Sequence, residues 1–307
     1  MQAQVPAPAP WTCRVMNSLC RIERSAQEDP HLLAGECVAP SVLTVLKAGA
    51  AAPTHRQGAV IAIGNFDGLH LGHQQMLRAV VTEAERSDRT PGVLTFHPHP
   101  RQTFARTSPF ALSSTRAKLD LIQAEGIRAA FLQRFNRRIC AMSPDTFVAE
   151  VLARQLRASQ VFVGEDFHFG HKRAGDVGLL SRLGEAFGFT VTAMAAFRDP
   201  TGAPYSSTRV RDALRDGDPR SAAALLGRSW RTTMKRHGAH QFRFGHLLRP
   251  PAGIYRVEVR AAPTGPALTK TAWLSGGEGG GEPLLTLGSG GVGERQSTLI
   301  VDWLDRL

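Results

Sequence analysis

Lysine is scarce in this chain. Only five of its 37 basic residues are lysine (positions 47, 118, 172, 235 and 270), and the rest are arginine. Against 26 acidic residues the formal charge is +11. No block of like charge forms a basic arm, which argues against a nucleic-acid partner, and the positive field suits a polyanionic small substrate instead. Cysteine is scarce too. Positions 13, 20, 37 and 140 contain no C-x-x-C pair, which excludes a disulfide framework and fits a reducing cytoplasm. No apolar run reaches the roughly 18 residues of a transmembrane helix. The first ten residues, MQAQVPAPAP, hold no basic stretch leading into an apolar core, so neither a membrane span nor a secretory signal is expected. Residues 1–40 mix proline, alanine and scattered charge without a period, and read as a poorly ordered extension or an overlong start. No internal repeat is present, and 307 residues suggest two domains at roughly 150 residues each.

What is present is strand–helix alternation from about residue 58 to 215. AVIAI (59–63), GVLTF (92–96), AAFLQRF (129–135), VFVG (161–164) and FTVTAMA (189–195) read as strands. Between them HQQMLRAVVTEAER (73–86), TRAKLDLIQAEG (115–126), SPDTFVAEVLARQL (143–156) and DVGLLSRLGEAFG (176–188) read as helices, the third with Ser143 as cap and Pro144 at its first position. Such alternation predicts an α/β fold whose parallel sheet is covered on both faces, with ligands bound outside the carboxyl ends of the strands. After residue 222 the texture changes. GIYRVEVRA (253–261), ALTKTAWL (267–274), PLLTL (283–287) and STLIVDWL (297–304) are strand candidates separated by the glycine clusters GGEGGG and GSGGVG. This second region reads as a small β domain, marginal for a core of its own.

The chemistry sits at the strand ends. AVIAI runs into Gly64-Asn65-Phe66-Asp67-Gly68, and His70 and His73 follow with Gly72 between them where a helix begins. A glycine-rich turn at a helix N-terminus lets backbone N–H groups approach phosphate, and two imidazoles at i, i+3 share a face from which to donate to phosphate oxygens. A four-histidine metal site from His70, His73, His97 and His99 finds no carboxylate or cysteine at a completing spacing, so no protein-ligated metal is expected. VGEDFHFGHKRAGD (163–176) is glycine-rich after a strand, but its glycine and lysine spacing fails the P-loop pattern; Phe167 and Phe169 are either core or an apolar wall. YSSTRVRDAL (205–214) sets hydroxyls at a helix start ahead of Arg209 and Arg211, which is either a phosphate clamp or a capped helix with solvent-facing arginines.

GNFDGLHLGH, TFHPHPR, VGEDFHFGHKRAGD and SSTRVR, in this order and spacing over about residues 58–230, closely resemble the prokaryotic bifunctional riboflavin kinase/FAD synthetase family. The resemblance implies a Rossmann-like nucleotidylyltransferase domain at 41–220, a degenerate riboflavin-kinase-like β-barrel domain at 221–307, and a cytoplasmic enzyme. It implies the reaction of FMN with ATP to give FAD and pyrophosphate, with Mg²⁺. By that resemblance Gly64, Asn65, Phe66, Asp67, Gly68, His70, Gly72, His73, Ser206, Ser207, Thr208 and Arg211 bind ATP, with His70, His73 and Arg211 catalytic. His97, Pro98, His99, Pro100, Arg101, Gly164, Asp166, Phe167 and Phe169 line the flavin side.

The second half departs from that family. LLGRSW (225–230) and GIYRVEV look like its kinase barrel, but FRFGHLLRPPA (242–252) stands where a Pro-Thr-Ala-Asn motif belongs, and STLIVDWLDRL offers no convincing catalytic glutamate. The expectation is a kinase half that has lost its activity while still packing on the first domain or covering the flavin. Two other functions fit the same motifs: a nucleotidyltransferase acting on another phosphorylated acceptor, and a flavin- or nucleotide-binding paralogue without turnover.

Overall fold

The strand AVIAI is buried along its whole length, and its side chains alternate between two cores. Ala59, Ile61 and Ile63 pack with Leu94, Phe131, Val148 and Leu180 on one face of the sheet. Val60 and Ala62 pack with Leu77, Val80 and Ile122 on the other. A strand apolar at every position is what a sheet covered on both faces demands. The structure is a computed structural model that describes residues 43–47, 58–104, 109–262, 265–276, 283–288 and 297–307. The expected extension at 1–40 lies outside the described residues.

Six parallel strands form that sheet: β1 (Thr44–Lys47), β2 (Ala59–Ile63), β3 (Thr90–His97), β4 (Ala129–Arg134), β5 (Ala158–Gly164) and β6 (Thr190–Met194), in the order β1-β4-β3-β2-β5-β6. From β2 the chain builds outward through β3 and β4, then returns to place β5 on the other side of β2. The carboxyl ends of β2 and β5 therefore flank the topological switch point, where an open sheet offers a crevice. Helices α1 (Leu71–Arg86), α2 (Pro100–Phe104), α3 (Thr115–Ala124), α4 (Arg137–Ala141), α5 (Pro144–Thr146) and α6 (Val177–Phe187) connect the strands, α5 running on as a π-helix over Phe147–Gln155. Ser143 caps α5 as the sequence predicts, accepting from the Thr146 amide, with Pro144 at the first position. Strand β1 is absent from the sequence reading because its four residues give too short a pattern to register.

Helices α7 (Ser207–Arg215) and α8 (Pro219–Leu226) lead to β7 (Trp230–Arg236), β8 (Gln241–Arg243), β9 (Gly253–Arg260), β10 (Leu268–Leu274), β11 (Leu284–Leu287) and β12 (Thr298–Arg306). These close into an antiparallel barrel in the order β10-β11-β8-β7-β12-β9. The sequence missed β7 and β8, and took the region as marginal for a core. The barrel does not rely on its own strands alone. Trp230, Tyr255 and Trp303 share one apolar cluster with Val210 and Leu214 of α7, Leu225 and Leu226 of α8, and Leu112 from the α2–α3 connection. The Trp230 indole donates to the Leu112 carbonyl at 2.8 Å. Sheet and barrel thus share a single compact unit, Pro40–Leu307. Among the described residues, no helix is long and apolar enough to cross a membrane.

Candidate active site

The turn after β2 is bent hard. Phe66 and Leu69 hold φ of 50° and 44°, and both are buried. Bulky residues rarely adopt that left-handed backbone, and when they do it is because the surroundings fix it. Here the fixing groups are visible. Gln74 Nε2 donates to the Leu69 carbonyl at 2.9 Å, and the Arg228 guanidinium donates to the carbonyls of Gly68 (2.6 Å) and Leu69 (3.1 Å). A Cβ on Gly64 would stand 3.0 Å from the Phe66 ring, so a side chain there would press on it.

This turn delivers the two histidines as a stacked pair. His70 is the N-cap of α1, and its Nδ1 accepts from the His73 amide at 3.4 Å. The rings of His70 and His73 lie 3.7 Å apart at 24°, and Phe66 meets His73 edge-on at 5.2 Å. A Cβ on Gly72 would come within 3.2 Å of His70 Nδ1, which explains glycine between them. Because Nδ1 is an acceptor, the His70 proton belongs on Nε2. Burial, then the charges of Arg211 and Arg228, lower the His70 pKa to about 4. Burial, then His70, Lys118 and Arg211, hold His73 well below its usual range. Both rings are neutral donors at neutral pH.

The pair opens on a cavity of about 560 Å³ at the ends of β2, β5 and β6. Gly64, Asn65 and Phe66 line one side, Ser206, Ser207 and Thr208 another, and Gly164, Asp166 and Phe167 a third. Ser206 caps α7 by accepting from the Arg209 amide, and Ser207 donates to the Asp67 carbonyl at 2.9 Å, so the two helix starts are tied together. Tyr205 and Phe197, stacked at 5.2 Å, add an aromatic plate. A second cavity of about 990 Å³ lies between sheet and barrel, lined by His97, Pro98 and Lys118, with Asp67 also on its wall. His99 lines both cavities.

The structure redistributes part of the residue set named from sequence. Arg211 lines the smaller cavity but is buried, and its NH2 nitrogen donates to Asp67 at 2.5 Å while Nε donates to the Phe110 carbonyl. Asp67 also accepts from the amides of Leu112 and Ser113. These two groups hold the α2–α3 connection against α7. Phe169 lines neither cavity; it is buried beside Phe147 at 5.7 Å, with Phe167 stacked on it at 5.7 Å. Of the two readings for that aromatic pair, Phe167 takes the wall and Phe169 the core. Gly68 and Pro100 line neither cavity, and Arg101 lines the smaller one. The residues grouped as flavin-side thus fall into two places: His97, Pro98 and His99 at the larger cavity, Arg101, Gly164, Asp166 and Phe167 at the smaller.

Lys118 and Arg228 were missed. Lys118 is buried, and its amine donates to the Asn65 carbonyl (3.2 Å), Thr95 Oγ1 (3.0 Å) and the Phe96 carbonyl (3.1 Å), fastening the glycine turn to the end of β3. Burial lowers its pKa to about 8, opposed by Asp67. The available signal was a rare lysine four residues before Ile122 on the apolar face of α3. Burial also brings His99 down to about 4.

The low histidine pKa values carry a stability consequence. Below about pH 6.5 the unfolded chain binds protons that folded His70, His73 and His99 refuse, so stability falls as the pH falls, down to about pH 4 for His70 and His99, with His73 adding in the same direction. His70 alone removes about 2 kcal/mol by pH 5. Urea melts at pH 7.5 and pH 5.0 check this, and an equal midpoint at both would show that the pair is not held neutral.

A family model for FAD synthetase matches residues 52–209, just over half the chain. The chain belongs to the FAD synthetase family. It is 36% identical over 173 residues to a bifunctional riboflavin kinase/FMN adenylyltransferase of Escherichia coli K12, covering 56% of this chain and 55% of that protein. A protein of the same description from Haemophilus influenzae is 31% identical over 216 residues, covering 66% and 70%. The chain thus spans about half the length of the Escherichia coli relative. The crystal structure of a macrolide-efflux protein from Streptococcus pneumoniae superposes with a TM-score of 0.74 at 20% identity, over 87% of this chain and 91% of that one. That likeness shows the fold alone, and extends it over both sheet and barrel.

Proposed function

We propose that the protein is an FMN adenylyltransferase: an oxygen of the FMN phosphate attacks the α-phosphorus of ATP, the bond to the β-phosphate oxygen breaks, and FAD and pyrophosphate leave. The observation that carries this reading is the stacked, neutral His70–His73 pair facing the start of α7 across the smaller cavity. The acceptor brings its own nucleophile, so the chain needs only to align the two substrates and to donate hydrogen bonds where charge builds on the transferring phosphoryl group. Nε2 of His70 and the ring of His73 are such donors, and Ser206, Ser207 and Thr208 suit the departing phosphates. Asp67 is committed to Arg211 and two amides, and among the described residues no three His, Cys, Asp or Glu are grouped to hold a metal. Magnesium takes most of its coordination from water and substrate phosphates and needs few protein ligands, so it would enter with ATP as the MgATP substrate.

We further infer that the barrel no longer phosphorylates riboflavin. The β8–β9 connection, which carries no Pro-Thr-Ala-Asn, is spent on docking: Leu248 donates its amide to the Ala111 carbonyl at 2.8 Å and Leu247 bridges Ala111. Purified protein given MgATP should convert FMN to FAD and leave riboflavin untouched, read by chromatography. FMN or FAD formed from riboflavin would refute the barrel reading. Folded protein that makes no FAD from FMN would shift the function to another phosphorylated acceptor or to binding without turnover.

A further inference from the structure

Lys118 stands where a cation is hard to keep. It is 7% exposed, and its ammonium donates to the Asn65 carbonyl, the Phe96 carbonyl and Thr95 Oγ1, three acceptors that carry no charge. Among the described residues no carboxylate pairs with it. Asp67, the acid whose field reaches it, is already engaged by Arg211 and by the Leu112 and Ser113 amides. Lys118 is also the fourth residue of α3, beside the positive end of that helix. Burying a charge without a counter-ion opposes folding, and neutral donors could hold the same three acceptors without that penalty. Arg228 offers a contrast. It is half-buried and grips the same turn through the Gly68 and Leu69 carbonyls, yet it lines neither cavity. Lys118 lines the larger cavity, and Asn65, to which it is bonded, lines the smaller one. The ammonium therefore stands in the wall between the two.

We propose that Lys118 is a positioning residue for the transfer: a fixed cation in the wall between the cavities that offsets the repulsion between two anionic substrates as their phosphates meet. This rests on adenylyl transfer from ATP to FMN being the reaction. All three ammonium hydrogens are taken by the protein, so Lys118 acts through its field and not by donating to a substrate. Attack of one phosphate on another brings like charges together, and a cation already fixed in low-dielectric surroundings meets them without reorganising. The titratable groups that face Lys118 are Asp67 from the turn after β2, His73 from α1, and His97 and His99 from the end of β3 and the loop beyond it. Lys235 of β7 and Arg243 of β8 share the lining of its cavity. The three histidines are held below their usual range, so they stay neutral above pH 7 and neither add to the charge nor cancel it. Burial, opposed by Asp67, brings Lys118 itself down to about 8. Its charge is thus lost on mild alkalinisation of the free enzyme, whereas phosphates bound nearby hold the proton on.

The test is the pH dependence of FAD formation by the full chain from pH 7.5 to 9.5, above the phosphate pKa of about 6. With FMN and MgATP both well below their KM values the rate reports the free enzyme, and it should fall along a limb centred near pH 8. At saturation the limb should move to higher pH or leave the range, because the bound phosphates keep Lys118 protonated. Lys118→Met should remove the limb and lower the subsaturating rate at pH 7.5 by about tenfold or more. Arg228→Met, which loosens the same turn from its other end, should lower the rate and keep the limb. A lysine that only ties down carbonyls gives no such pattern. A parent without the limb, a limb that persists in Lys118→Met, or a Lys118→Met rate within twofold of the parent overturns the proposal. The parent's profile decides the matter even where Lys118→Met fails to fold, which thermal melts reveal. The two readings separate cleanly. FAD formed with no alkaline limb sinks this role and leaves adenylyl transfer standing. Folded parent that makes no FAD sinks adenylyl transfer, and Lys118 is then read from MgATP titrations at pH 7.5 and 9.5. Affinity that falls with pH in the parent but not in Lys118→Met upholds the charge, and equal affinities at both pH values overturn it.

Discussion

His73→Ala is expected to lower kcat for FAD formation by about 10²–10³-fold while the dissociation constant for ATP moves by less than about threefold. The asymmetry follows from how the ring is held. His73 is kept neutral by burial and by cations around it, it is stacked at 3.7 Å on His70, and it is braced edge-on by Phe66. A group fixed this way costs nothing to reorganise when charge develops on the phosphoryl group, and it gains most from the transition state, where that charge is largest. On the proposed reading, ground-state ATP would have other partners at the starts of α1 and α7. Steady-state kinetics with an independent ATP titration separates the two effects, and a raised KM at constant kcat would refute a transition-state role for His73. Thermal melts accompany the assay, because the lost ring leaves space beside Phe66, which is fully buried.

Much of this site was readable in the sequence because its constraints are local. Gly64, Gly72, His70 and His73 sit within ten residues, and each glycine answers to a ring a few positions away. The parallel sheet was readable for a related reason, since strands buried on both faces leave unbroken apolar runs such as AVIAI. Contacts made at long range left no local trace. Asp67 and Arg211 are 144 positions apart, and nothing around either residue says that they meet. Arg228 reaches back 160 positions to the Gly68 carbonyl, yet in LLGRSW it looks like any exposed arginine after a helix. The barrel was underestimated for a similar reason. Burial alternates along Trp230–Arg236, but RTTMKR holds one apolar residue, Met234, so no apolar alternation marks the strand, and its core is completed by Leu112 and α7, which a count restricted to residues 221–307 leaves out.

Arg211→Ala tests which of two roles that arginine has. The sequence suggested a triphosphate clamp, for which substitution would cost ATP affinity and little else. The structure commits the guanidinium elsewhere: it pairs with Asp67, donates to the Phe110 carbonyl and lies over the Phe110 ring at 3.8 Å. Both side chains of the pair are about 5% exposed. Removing the arginine would leave a carboxylate buried without its counter-charge, which costs about 3–5 kcal/mol. For a chain of this size that is a fall in Tm on the order of 10 °C. The penalty belongs to the stranded charge more than to lost attraction, so adding Asp67→Asn to Arg211→Ala should recover part of the stability. Asp67→Asn alone should also be destabilising, because it weakens what the Leu112 and Ser113 amides donate to. Denaturant midpoints for the two single variants and the double variant close the cycle. Strong coupling between them places Arg211 in the frame that holds Asp67 and the helix starts. Additive effects, with stability near that of the parent and ATP affinity lost, would return Arg211 to the clamp.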